Sequence, residues 1–418
     1  MLTRSILAIV ALFASLVLLV AGNAMLGTIA ALRLEIDGYE PGAIGAVLAL
    51  TALGFVLGSL YAIRIVRRVG HIRAFAVFAA IAAASALVHP VWVSAAVWVV
   101  LRFALGFCIA GLMLVAESWV NAHATAQTRG TLLATYMVLF FLAAATGQFL
   151  VALGDPGLHY LFVLAGILLI LSLVPVSLTL TSPPQIEATE RLGMRALWRR
   201  SELGLAGAAV SGVMLGALGT VGPVYAYEMG LAVDEVGPFM GVAILAAMAL
   251  QWPLGYLSDY LPRRVVIVGI AGAALAAALL TAAFAHRSEL YLYGGVAAFY
   301  GLVSCIYPLA LAFTHDMLSK AQIVPASATL LLANGIGGIA GPVLGGASIS
   351  IFGPAGLFLF LAAVLGVLLL LAALSFARER APSVREQTHC VGVAPVSTEA
   401  ILALDPRQAG ERAPSAAR

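Results

Sequence analysis

Long apolar runs separated by short polar gaps recur twelve times along the chain. A helix that crosses a bilayer needs about 20 mostly apolar residues. The first six runs fall near residues 5–32, 42–63, 73–88, 91–118, 131–153 and 159–180. The second six fall near 203–228, 237–257, 265–285, 290–314, 325–351 and 357–377. Many are rich in Gly and Ala, which lets helices approach closely where lipid supplies no hydrophobic drive between them. The pattern predicts an all-α membrane protein of twelve transmembrane helices.

Two stretches break the pattern. Residues 181–202 carry Pro183-Pro184 and then mixed charge, which predicts a cytoplasmic linker with a short surface helix around 186–200. Residues 378–418 are rich in Ala, Pro, Arg, Glu and Ser without an apolar period, which predicts a disordered cytoplasmic tail. The chain thus divides into a six-helix bundle at 1–180, the linker, a second bundle at 203–377, and the tail. The first run is about twice the length of a signal-peptide core, so it is expected to remain as a span.

The basic residues set the orientation. With the N-terminus in the cytoplasm, all but three of the 22 Lys and Arg fall inside. The exceptions are Arg33 and Arg287, outside, and Arg102, within a span. Both termini are therefore expected in the cytoplasm.

Composition agrees. Of 418 residues, 62% are hydrophobic and 10% charged, with a mean hydropathy of +1.06. Soluble domains are about a quarter charged. A formal charge of only +3, spread over short loops, argues against nucleic-acid binding. Cys108, Cys305 and Cys390 show no CxxC spacing, so neither a disulfide framework nor a zinc site is expected.

The charged gap Gly255–Arg264, read GYLSDYLPRR, has a degenerate twin that opens at Gly58, an offset of 197 residues. Glu117 and Asp316 close the fourth and tenth spans at nearly the same offset. So do Gly147-Gln148 and Gly341-Pro342 in the fifth and eleventh. Two six-helix halves repeated in the same orientation place a substrate cavity between them near mid-membrane.

These landmarks resemble the major facilitator superfamily over about residues 5–377. Gly255-x-x-Ser258-Asp259-x-x-x-Arg263-Arg264 is similar to its loop signature of Gly, Asp and a basic pair. Arg102-x-x-x-Gly106 is similar to its second signature, and Gly341-Pro342-x-x-Gly345-Gly346 to its glycine-proline signature. VGHIRAF at 69–75, ESWVN at 117–121, TRG at 128–130, QWPLGYLSD at 251–259 and HDML at 315–318 look like the YcaD-type branch. Two departures stand out. Arg67 occupies the place of an expected Asp in the first-half loop. Gln148 stands where the family's antiporters usually show Pro, so antiport is not inherited. The resemblance implies the twelve-helix major-facilitator fold, with Gly58, Gly106, Gly255, Gly341 and Pro342 in helix-packing motifs.

The polar residues yield two candidate sets. Asp259 is expected to face the start of the fifth span near Arg129-Gly130 as a cytoplasmic gate, the alternative being a solvated loop charge. Arg263 or Arg264 is expected to pair with Asp316, and Arg68 or Arg73 with Glu117; the alternative is that these arginines serve topology alone. Arg102 lies roughly 16 Å from the outer end of its span, too deep to snorkel. It either meets a group in the cavity or is tied to backbone carbonyls, bracing the first, fourth and fifth spans. Asn23 is a further cavity candidate. Tyr300 and Tyr307, seven residues apart, are expected on one helix face.

No catalytic signature of the HExxH, GxSxG or GxxxxGK[ST] type occurs, so an enzyme is not expected, and no cofactor or metal is implied. The expectation is a secondary transporter of a small organic solute in a bacterial cytoplasmic membrane, monomeric, working by alternating access. Proton coupling and facilitated diffusion both stay open. The alternative is a non-transporting scaffold or receptor on a transporter fold.

Overall fold

The computed structural model describes residues 2–125, 127–178 and 192–376, together with Gln387 and Thr398. Most of the expected linker, up to residue 191, and of the expected tail therefore lies outside the described residues. Within them the chain is helical, with no strands.

Twelve helices are long and apolar enough to span a membrane. They are α1 (Ile9–Ile36), α2 (Pro41–Val69), α3 (His71–Val88), α4 (Ala95–His123), α5 (Arg129–Leu153) and α6 (Tyr160–Ser177), then α7 (Glu202–Glu228), α8 (Val233–Tyr260), α9 (Arg263–Arg287), α10 (Glu289–Asp316), α11 (Gln322–Phe352) and α12 (Ala355–Ser375). Each expected run overlaps one of them. In lipid every backbone polar group must be satisfied within the segment, which is why apolar length alone predicts helices here. The helices also extend past the apolar runs. α2 carries Arg67 and Arg68 in its last turn and stops only at Gly70, whose φ of 88° favours glycine.

Short connections make successive spans antiparallel. The loops after α2, α4, α8 and α10 and the C-terminal end of α12 thus share the face where α1 begins, here the terminal face. A short helix, Met194–Trp198, precedes α7 on that face. Leu192 ties it to α11, donating its N–H to Pro325 O and accepting from the Thr329 hydroxyl.

Glycine lets the spans touch backbone to backbone. A Cβ at Gly54 or Gly106 would collide with a carbonyl of the facing helix in the α2–α4 pair. One at Gly58 would press on Phe107 and Ala110 of α4. Gly147 packs on Ala21 in α5–α1, and Gly212, Gly337 and Gly341 serve α7–α11. The α1–α5 and α7–α11 pairs are repeat equivalents. Gly255 departs from the expectation: a Cβ there would meet nothing within 4 Å. The reason lies in how the halves meet.

The first six and last six spans touch closely at the face opposite the termini. Gly45 packs on Pro342 and Gly346 on Pro41. Gly42 N donates to Ser350 Oγ at 2.9 Å. Gly237 of α8 sits on Gln148 and Val151 of α5. Toward the terminal face α8 loses such cover: Trp252 is 76% exposed, and Tyr256 and Tyr260 are exposed too. Gly255 belongs to this uncovered stretch.

Candidate functional site

Between the halves lies a cavity of about 340 Å³, lined by α1, α2, α4, α5, α7, α8, α10 and α11. Its lining reaches toward the terminal face at Ser59, Leu60 and Ala328. At the opposite end the glycine contacts between the halves close it.

Asn23 and Tyr300 both line this cavity, from α1 and α10. Tyr307 does not, and is buried among the helices. Tyr307 lies seven residues nearer the terminal face, beyond a short interruption of α10 at Ser304-Cys305, where Pro308 has no N–H to return to the carbonyl of Ser304.

Two lining threonines, Thr51 of α2 and Thr220 of α7, were not singled out from the sequence. Thr220 follows Asn23 by 197 residues, the offset of the loop repeat, and that signal was available. Gln148 and Asn334 also reach the lining, but both are engaged by protein. Gln148 accepts from the Thr28 hydroxyl at 2.7 Å and donates to Ala24 O at 3.2 Å, joining α5 to α1. Asn334 donates to Ala208 O at 3.1 Å, joining α11 to α7. No charged side chain is found among the described lining residues.

Arg102 is buried, yet it lies outside the lining. Its Nη2 donates to Leu26 O at 3.2 Å, and its guanidinium lies 5.8 Å from the centre of the Trp98 ring. This is the carbonyl-tied arrangement rather than a cavity position, with α1 as its partner. Nearby, in the loop after α3, His89 packs against Trp98 and Phe162. Burial pushes its pKa well below the ordinary imidazole value, and the Arg102 charge lowers it further. The hydrogen bond to Ser85 O opposes both without overcoming them.

The loop signature forms a cluster at the terminal face. Arg263 is fully buried and donates to Asp316, to Ala312 O at 3.2 Å and to Asp259 at 3.4 Å. Arg264 turns away, to the Ser375 hydroxyl at 2.7 Å and Ala372 O, beneath the Phe376 ring. Of the two arginines offered by the sequence, Arg263 therefore takes Asp316, and Arg264 ties the loop to the end of α12.

The corresponding first-half strut is not formed. Arg68 and Arg73 are exposed. Glu117 is fully buried and accepts from the Tyr136 hydroxyl at 2.7 Å and from both the N–H and the hydroxyl of Thr398. A carboxylate that deep is satisfied by nearby donors, whereas the loop arginines stay in water. Thr398 lies in the tail, where nothing in the sequence pattern pointed to a buried contact.

Among the described residues no group of His, Cys, Asp and Glu is arranged to hold a metal. Among the described residues, the arrangement offers a neutral cavity between two sets of six helices that pack closely at one face, with α8 uncovered toward the other and a charge cluster beside that uncovered stretch.

Known proteins share this architecture. The chain is 29% identical over 364 residues to the uncharacterised MFS-type transporter YcaD of Salmonella arizonae, covering 86% of this chain and 94% of that one. It is 28% identical over 334 residues to that of Escherichia fergusonii, covering 79% and 86%. Among solved structures, the nucleoside transporter NupG superposes with a TM-score of 0.73 at 14% identity, over 90% of this chain and 100% of that one. A bacterial homologue of the human lysosomal transporter Spinster, inward-facing and unoccupied, gives 0.66 at 15% identity over 92% and 98%. At such identities the structures speak for the fold alone. The family model of the Major Facilitator Superfamily matches residues 12–303 and 204–406, and on that match, spanning both halves, the chain belongs to the Major Facilitator Superfamily.

Proposed function

We propose that this protein is a secondary transporter that carries a small organic solute across the bacterial cytoplasmic membrane by alternating access. The observation that carries the reading is the asymmetry of contact around one cavity. The halves pack backbone to backbone at the face opposite the termini and part at the terminal face. With the termini in the cytoplasm, as the distribution of basic residues indicates, this is a state open to the inside.

The Asp259 loop acts as the inner latch in this scheme. With the inner face open, Asp259 rests against Arg263 of its own half. When the halves close there, it swings toward the start of α5, near Arg129 and Gly130. Gly255, uncovered in the present state, then takes up helix contacts. Arg263 and Asp316 stay paired throughout and keep the loop in register.

Uptake into proteoliposomes over a panel of radiolabelled solutes, with and without a pH gradient, tests the reading. Saturable flux of at least one solute is expected. Absence of flux for every solute, with a partner protein that co-purifies stably, would replace it with a scaffold or receptor role.

A further inference from the structure

We infer that the central cavity is selective for an uncharged, largely apolar solute with hydrogen-bonding groups at two points, one for each half of the protein. The inference rests on the transporter reading and names the chemical class of its solute.

Charge is the first consideration. The charged groups described above are turned away from the cavity. Arg102 faces Leu26 O and Trp98. Glu117 is held by Tyr136 and Thr398. Arg263, Asp259 and Asp316 hold one another at the terminal face. The described lining contributes no formal charge. An ion entering such a cavity gives up water and gains no opposite charge, which disfavours it strongly against a neutral solute of the same shape.

Polar supply is the second. Gln148 and Asn334 bond to backbone or to Thr28, and Ser59 returns its hydroxyl to Val56 O. Asn23, Thr51, Thr220 and Tyr300 line the cavity, and among the described residues their side chains have no hydrogen-bond partner. Two of them come from each half, and Asn23 and Thr220 are equivalents under the repeat. A solute with two polar ends therefore meets both halves at once.

The walls between these points are apolar. Phe55, Phe140 and Phe141 offer flat surfaces, and Met113 and Met240 offer adaptable ones. At about 340 Å³ the space falls at the small end of ligand-sized pockets.

A thiol placed in the cavity reads its selectivity without knowledge of the solute. Gly219 lines the cavity, and a Cβ there meets nothing within 4 Å. Gly219→Cys is made in a full-length chain lacking Cys108, Cys305 and Cys390. It is treated in nanodiscs with methanethiosulfonates carrying a hydroxyethyl, a sulfonatoethyl or a trimethylammonioethyl group. Each rate is divided by that reagent's rate with free mercaptoethanol. The neutral reagent is expected to react at least about tenfold faster than either ion. A charged reagent that matches the neutral one overturns the inference. Gly27→Cys, also in open space on the lining, repeats the test from the other half should the first variant fold poorly.

Protection of the same thiol supplies the second arm. 1,4-Benzenedimethanol, a neutral probe with a hydroxyl at each end, is expected to slow labelling, while 4-(hydroxymethyl)benzoate and 4-(hydroxymethyl)benzyltrimethylammonium leave it unchanged. Asn23→Leu combined with Tyr300→Phe is expected to weaken the diol's protection at least about fivefold. Protection by an ion, or full protection in the double variant, counts against the assignment. Flux of the solute panel is scored separately. Neutral-selective labelling without flux removes transport and keeps the cavity assignment. Flux of charged solutes with equal labelling keeps transport and removes the assignment.

Discussion

Arg263 and Asp316 form a buried ion pair that joins the first turn of α9 to the last turn of α10. The guanidinium has no exposed surface, and it also reaches Ala312 O and Asp259. Removing one partner strands a charge away from water. Asp316→Ala is expected to lower stability by about 3–5 kcal/mol. Arg263→Met combined with Asp316→Leu is expected to cost less than either single change, because neither member of the fully buried pair is left alone and Asp259 keeps contact with solvent. Thermal unfolding of the detergent-solubilised variants measures both. A double variant no better than the singles would show that the pair does more than neutralise itself.

In the alternating-access scheme proposed above, Gly255 distinguishes the present conformation from the inward-closed one. Because a Cβ there meets nothing within 4 Å, Gly255→Val is expected to leave the melting temperature nearly unchanged. In the proposed cycle, closure of the terminal face would bring helices together at that point, so flux is expected to fall by about tenfold or more. Asp259→Asn acts in the same direction and is expected to raise labelling of a thiol in the cavity from the terminal face. Wild-type flux in Gly255→Val would show that α8 stays uncovered throughout the cycle.

Gly106 is the opposite case. Its missing side chain lets the α4 backbone rest on Thr51 O of α2. Gly106→Val is expected to destabilise the protein by about 1–3 kcal/mol or to prevent its accumulation, since two packed helices must separate. Expression and thermal unfolding read the effect, and a variant as stable as the wild type would remove this contact from the fold's support.

Glu117 accepts buried hydrogen bonds from Tyr136 in α5 and from Thr398 near the C-terminus. Tyr136→Phe and Thr398→Val are each expected to cost about 1.5–3 kcal/mol, the usual worth of a bond to a charged group. The two share one carboxylate, so their effects are not expected to add. Simple additivity in the double-variant cycle would show that the two contacts are independent.

His89 makes stability depend on pH. Its ring is buried with Nε2 unpartnered, and Nδ1 faces Ser85 O, as suits a neutral imidazole. Burial is the main cause of its lowered pKa, with Arg102 next. The unfolded chain takes up a proton near the ordinary value of 6.5 while the folded one does not. The contribution is therefore present above that pH and declines as pH falls toward the folded value. His89→Phe is expected to flatten the loss of stability between about pH 6.5 and 5. An unchanged slope would assign the acid sensitivity to other groups.

Hydropathy was enough to read the number of spans and their order, and the loop and helix motifs carried the family resemblance. The physical reason is that lipid leaves a backbone one economical choice, a helix of sufficient length, and that charge cannot hide in such a helix without showing in the sequence. That Arg102 would face protein rather than lipid was legible too, and its side chain is buried, although α4 begins at Ala95 and leaves it nearer the helix end than the apolar run suggested. Its direction around the helix was not legible, because whether it meets the cavity or Leu26 O depends on how α4 turns against α1. The same limit applies at Arg263 and Arg264, adjacent in sequence and turned to different helices. It applies again at Tyr300, which lines the cavity, and Tyr307, which is buried away from the lining. Tertiary packing alone decided that Glu117 is served by Tyr136 and Thr398, that Gly255 stands uncovered, and that the halves meet at the face opposite the termini. Composition sets which helices form in lipid, while the rotation and contact of those helices come from packing between segments hundreds of residues apart.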